Sequence, residues 1–152
     1  MNILDILSPK AIKVPLDSSD KKGAIDELID LMASTGAITQ PDLLRQVVWE
    51  REQQRTTGIG EGLAIPHGKS NSANKLVISM GRPAQPLDFG AIDNKPVKLI
   101  VLLASPPEKT SDHIQALGKI SRLMNDPKFR AAAYTAPNSD ELYQLFAKAD
   151  KG

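Results

Sequence analysis

His67 and His113 are the only imidazoles in this chain of 152 residues. His67 stands between Pro66 and Gly68, just after the short apolar run Leu63-Ala64-Ile65. Proline fixes φ and has no N–H, while glycine allows unusual backbone angles and close approach of another body. The imidazole between them is therefore expected to be held stiffly and left accessible. An unperturbed imidazole has a pKa near ~6.5, so much of it is neutral at pH 7 and one ring nitrogen keeps a lone pair. That nitrogen can accept a phosphoryl group, and the resulting N–P bond is weak enough to pass the group on. His113 falls in the first turn of an expected helix capped by Thr110 or Ser111. There the positive end of the helix dipole disfavours protonation. A neutral His113 could donate one hydrogen bond to a phosphoryl oxygen or to the other ring. From local sequence alone, a surface histidine without function is the plainer reading.

The rest of the candidate chemistry lies in Arg51 to Lys69, REQQRTTGIGEGLAIPHGK. Gly58, Gly60 and Gly62 can turn backbone N–H groups toward one point and make an anion-binding nest, although glycines alone more often mark a surface turn. Arg51, one helical turn earlier, has a guanidinium fork suited to phosphoryl oxygens; the alternative is a solvated Glu50-Arg51-Glu52 face. Thr56 and Thr57 could add hydroxyl donors or simply be turn residues. Two nucleotide motifs fail. Gly58-x-Gly60-x-Gly62 is not G-x-G-x-x-G, and Gly68-Lys69-Ser70 lacks the glycine five places upstream that a P-loop needs. A zinc hydrolase centre from the two histidines with Glu61 and Asp112 lacks any H-x-x-x-H or H-E-x-x-H spacing. No metal and no cofactor is expected.

The elements that must position these groups follow from periodicity. Residues 3–7 form an apolar helical turn. Ala11–Leu16 alternates as a strand. Ser18-Ser19-Asp20 offers N-caps for a helix with Ile25, Leu28, Ile29 and Met32 on one face, ended by Gly36. Thr39-Gln40-Pro41-Asp42 has the capping-box form, and Leu43, Leu44, Val47 and Val48 line the core face of the helix after it. Leu63–Ile65 and Lys75–Met80 read as strands. Val97–Ala104 reads as a central strand covered on both faces. A helix near Thr110 carries Ile114, Leu117, Ser121 and Met124; a short one covers Phe129–Tyr134; a last one carries Leu142, Leu145 and Phe146. The order β-α-α-β-β-β-α-α-α predicts an α/β domain, single over residues 1–152.

Composition narrows the function classes. Hydrophobic residues make up 41% and charged residues 24%, which excludes a disordered or collagen-like chain. The net charge is +1 with no basic arm, and aromatics are 4%, so neither a phosphate-tracking nor a base-stacking nucleic-acid surface is expected. Cysteine is absent, which removes disulfides and thiolate chemistry. The N-terminus lacks a signal-peptide pattern and the longest apolar run, Leu99–Ala104, is too short to span a membrane. A cytoplasmic protein with no membrane insertion is expected.

At Arg51, Thr56-Thr57-Gly58-Ile59-Gly60, Gly62, Ala64-Ile65-Pro66-His67-Gly68-Lys69 and His113-Ile114, the sequence resembles the enzyme IIA domains of the fructose/mannitol type in the bacterial phosphoenolpyruvate phosphotransferase system. Within that family it is most similar to the nitrogen-regulatory branch. The resemblance runs over nearly the whole chain, from Ile3-Leu4-Asp5-Ile6-Leu7-Ser8-Pro9 through Asp88-Phe89 and Ala91-Ile92-Asp93-Asn94 to Asp140-Glu141-Leu142-Tyr143. It departs at Thr56, where relatives often have Ser, and at Leu63, where they often have Ile. It implies a mixed β-sheet flanked by helices on both faces. It implies that His67 is phosphorylated, on Nε2, with His113 and Arg51 completing the site and Thr56, Thr57, Gly58, Gly60 and Gly62 beside the phosphate. It implies a donor of the HPr or NPr phosphocarrier type, charged from phosphoenolpyruvate by enzyme I. It further implies regulatory targets such as potassium-transport or sensor-kinase components. A sugar-transport relative would instead pass the group to a IIB domain; no fused IIB domain is expected, which favours the regulator, and a separate IIB partner stays open.

Overall fold

In the computed structural model, which describes residues 2–150, the sheet divides the core in two. A 3₁₀ turn (Ile3–Asp5) leads into β1 (Leu7–Leu16), and α1 (Lys21–Ser34) and α2 (Pro41–Gln54) follow. Next come β2 (Gly58–Gly60), β3 (Leu63–Ala64), β4 (His67–Lys69), β5 (Val77–Pro83) and β6 (Leu99–Ser105). Three helices close the chain: α3 (Thr110–Met124), α4 (Pro127–Thr135) and α5 (Ser139–Asp150).

The strands run in the order β1-β5-β6-β3-β2, with β4 also paired to β6. β1 is parallel to β5, β5 antiparallel to β6, and β3 and β4 both parallel to β6, so the sheet is mixed. β6 is buried along its whole length and shows the period of two that a doubly covered strand requires. Leu99, Val101 and Leu103 face one core with Ile120, Met124, Leu142 and Phe146; Ile100, Leu102 and Ala104 face the other with Ile25, Leu28, Leu44 and Val48. Helices α3–α5 thus cover one face and α1–α2 the other, as expected for this α/β fold. β1 sits at the sheet edge, where its Pro9 and Pro15 remove no ladder bond that a central strand would need.

Several local expectations are corrected. The capping box at Thr39 does not form. Gln40 is the N-cap of α2 and gives no side-chain bond, and the N–H of Thr39 is tied to the Ser72 carbonyl at 2.9 Å. On α2 the buried line is Leu44, Val48 and Glu52, while Leu43 is 37% exposed. On α3 the buried line is His113, Ala116, Ile120 and Met124; of the expected stripe only Met124 lies on it, and Ile114 is 63% exposed. Lys109, not Thr110 or Ser111, is the N-cap of α3. The segment read as a turn, residues 56–62, contains a strand: β2 folds back antiparallel on β3 through Glu61 and Gly62, whose φ values are 57° and 84°. The strained Glu61 is fixed from both sides, its N–H on Asp93 Oδ2 at 3.0 Å and its carbonyl accepting the Tyr134 hydroxyl at 2.6 Å.

Candidate phosphoryl-transfer site

His67 opens β4, a strand too short to be seen by periodicity and defined only by its ladder to β6. Its register pairs His67 with Leu103 and Lys69 with Ser105. β6 ends at Ser105, and α3 begins five residues later with His113 in its first turn. One ladder and one short connection therefore bring together two histidines separated by 46 positions. Their ring centroids lie 5.2 Å apart with the planes inclined at 69°.

The His67 Nδ1 lies 2.8 Å from the carbonyl oxygen of Ile65. A carbonyl only accepts, so Nδ1 must carry the hydrogen, and Nε2 is left with the lone pair. Pro66 stands between β3 and β4 with no N–H to continue a ladder, and its carbonyl accepts from Leu103 N at 3.0 Å. Burial is the main force holding the His67 pKa below 6.5; the Ile65 bond and Glu52 oppose it, and Arg51 and Lys69 add to it. His113 is 3% exposed. Its burial, with His67 and Lys69 adding, pushes its pKa down to about 4. Both rings are neutral at pH 7. The His113 Nδ1 is 2.7 Å from the Ser105 hydroxyl.

His67 lines a cavity of about 270 Å³ with Arg51, Thr56, Ile59, Ile65 and Leu117. Arg51 comes from the last turn of α2 and donates Nη1 to the Arg55 carbonyl at 2.8 Å, which steadies the guanidinium at the cavity wall. Thr56 Oγ1 accepts from Gly58 N at 3.0 Å, and its own hydroxyl hydrogen can still donate. Thr57 also lines the cavity, but its donors are already engaged. Its N–H donates to Glu52 Oε2 at 2.8 Å and its hydroxyl to Glu52 Oε1. The N–H groups of Thr57, Gly58 and Glu61 are thus all engaged inside the protein. Gly58 is needed for packing: a Cβ there would lie 2.9 Å from both Cα and Cβ of Ala91, too close for backbone to yield cheaply.

Sequence reasoning missed Glu52, read as part of a solvated face, and Ser105, which it gave no role in the site. Glu52 could have been found from its spacing, since Leu44, Val48 and Glu52 recur every four residues. Among the described residues, no three His, Asp or Glu side chains cluster as a metal site, and no helix is long and apolar enough to cross a membrane.

Two neutral, converging histidines beside an arginine suit transfer of an anionic group between nitrogens. Residues 5–149 match the family described as phosphoenolpyruvate-dependent sugar phosphotransferase system, EIIA 2. The chain belongs to that family. It is a phosphotransferase domain that acts through a histidine intermediate. It is 33% identical over 147 residues to a nitrogen regulatory protein of Bradyrhizobium diazoefficiens, covering 97% of this chain and 95% of that protein. It is 31% identical over 151 residues to the fructose-specific EIIA component of Haloferax volcanii, covering 97% and 98%. It spans 24% of the fructose-specific EIIABC component of Bacillus subtilis, at 29% identity and 99% of its own length. Its fold matches the crystal structure of the nitrogen regulatory protein IIA-Ntr of Neisseria meningitidis with a TM-score of 0.85, at 27% identity and covering 93% and 97% of the two chains.

Proposed function

We propose that His67 is the residue that carries the phosphoryl group, on Nε2, and that it receives the group from a histidine phosphocarrier of the HPr or NPr type. The observation that carries this reading is the bond from His67 Nδ1 to the Ile65 carbonyl, which leaves the lone pair on Nε2 of a ring lining the cavity beside Arg51. In the step, the Nε2 lone pair forms the new N–P bond. The carrier's N–P bond breaks, and its imidazole leaves with the electron pair. Positive charge gathers on the His67 ring as the bond forms, and the Ile65 carbonyl on Nδ1–H stabilises it. Arg51 and the Thr56 hydroxyl offset the charge on the equatorial oxygens, with His113 as a further donor. The glycines act by shape: they let β2 and its turn pack closely under the cavity wall.

The protein then serves as a regulator in the nitrogen branch, its partners chosen by phosphorylation state. About two negative charges appear on a surface that otherwise presents a neutral ring rimmed by Ile59 and Ile92. Likeness to nitrogen regulatory proteins supports this. The match to the stand-alone Haloferax fructose component favours a second reading, in which a separate IIB domain takes the group from His67.

Incubation with phosphoenolpyruvate, enzyme I and a histidine carrier, read by intact mass, tests the core claim. One acid-labile phosphoryl group, absent from His67→Ala, is expected. No added group, with both carrier types shown to be charged, would sink it. Discharge by an added IIB domain would select the sugar-transport reading over the regulatory one.

A further inference from the structure

Glu52 is a carboxylate buried to 3% exposure beneath the site. Lys21, from the first turn of α1, pairs with Oε2 at 3.0 Å and also sits 4.6 Å from the centre of the Phe89 ring. A carboxylate removed from water is costly unless its lone pairs are filled. Here three donors fill them: the Lys21 ammonium, the Thr57 N–H and the Thr57 hydroxyl. Replacement of an ion pair by apolar residues often leaves stability unchanged or improved, so stability alone does not explain a charge at this position.

The bonds continue past Thr57. Its carbonyl accepts from Ile65 N at 3.1 Å, and the Ile65 carbonyl accepts from His67 Nδ1 at 2.8 Å. Three contacts therefore connect a buried carboxylate on α2, paired with a half-buried lysine on α1, to the tautomer of the reacting ring. We propose that Glu52 is a positioning residue for phosphoryl transfer: through Thr57 and Ile65 it holds the carbonyl that keeps the hydrogen on His67 Nδ1 and the lone pair on Nε2. Lys21 is its counter-charge, and through it α1 bears on the site without touching the cavity. Because Lys21 offsets its charge, Glu52 acts mainly by orientation. The inference deepens the proposed relay and rests on it for its kinetic readout.

The experiment compares wild type with Glu52→Gln in two measurements. Nitrogen NMR of the ring reports the tautomer without any phosphoryl donor. Wild type should show a protonated Nδ1 and a bare Nε2, and Glu52→Gln a mixture moved toward the reverse. Rapid-quench transfer from the charged carrier should slow about tenfold with little change in apparent KM, as a misaimed but still docked nucleophile requires. Either reading left unchanged in a folded Glu52→Gln protein overturns the proposal. If that variant does not fold, Thr57→Val, which removes only the hydroxyl arm, is judged by the same two measurements with a smaller change expected. Should wild type take no phosphate at all, the relay reading falls, while the ring spectra still decide whether Glu52 sets the tautomer.

Discussion

The two imidazoles are held by different kinds of partner. His67 is tied through Nδ1 to a backbone carbonyl, and His113 through Nδ1 to a serine hydroxyl. A carbonyl can only accept, so it dictates where the hydrogen of His67 sits. A hydroxyl can donate or accept, so Ser105 permits His113 either tautomer. Their settings differ as well. His67 is half-buried on a strand at the cavity wall, whereas His113 is buried in the first turn of α3. A nucleophile must offer the same lone pair in every encounter, and a backbone bond enforces that. A neighbour that meets a phosphoryl oxygen in one state and a bare ring nitrogen in another gains from a partner that can turn. The contrast supports the proposed division, with group transfer at His67 and assistance from His113.

The largest effect expected from this contrast is kinetic. His113→Ala should still be phosphorylated on His67 but about 100-fold more slowly, the scale of one donor lost from a charge-stabilising site. Rapid-quench measurement of the first turnover checks it. Phosphate found on His113 in the wild-type protein, or a His113→Ala rate equal to wild type, would break the division of labour.

A smaller effect is thermodynamic. His113 has an unfolded pKa near 6.5 and a folded value of about 4. Its folded value is the lower one, so between them the unfolded chain binds more protons and stability falls as pH falls. Between pH 7 and pH 5 the loss is about 2 kcal/mol, and His67, also lowered by burial, adds in the same direction. The Asp93 carboxyl, held low by the N–H groups of Glu61 and Lys95, loses its contribution only below its ordinary 3.8, outside this window. Urea unfolding at the two pH values should show the drop in wild type and most of it gone in His113→Gln. A wild-type midpoint that does not move would show that neither ring is kept neutral by the fold.

What the sequence disclosed of this contrast divides along physical lines. The candidacy of His67 was legible because Pro66 and Gly68 act through local covalent geometry. The alternation of β6 was legible because a strand covered on both faces must be apolar throughout. The roll of α3 was not: Ile114 and His113 head two adjacent stripes of similar apolar content, and only docking on the sheet chooses between them. β4 has three residues and exists because β6 offers a ladder. Glu52 was misread because charge outweighed spacing; its burial depends on Lys21 and Thr57, partners 31 and 5 positions away.

The smallest expected effect tests the contrast most closely. Ser105→Ala removes the hydroxyl that sets the His113 ring and leaves the His67–Ile65 bond intact. The cost of one buried neutral hydrogen bond is about 1 kcal/mol, and not all of it falls on the transition state. Transfer to His67 should therefore slow only about threefold, with the His67 ring spectrum unchanged and the His113 nitrogens shifted. The size matters because it bounds how much tautomer control His113 needs. A loss approaching that of His113→Ala would mean that His113 works in one fixed tautomer, and that the hydroxyl dictates as firmly as the carbonyl does. No change in rate or spectrum would mean that packing under Lys69 and α3 alone aims the second ring. A threefold loss confined to His113 would leave one ring committed by the backbone and the other free to answer the state of its neighbour.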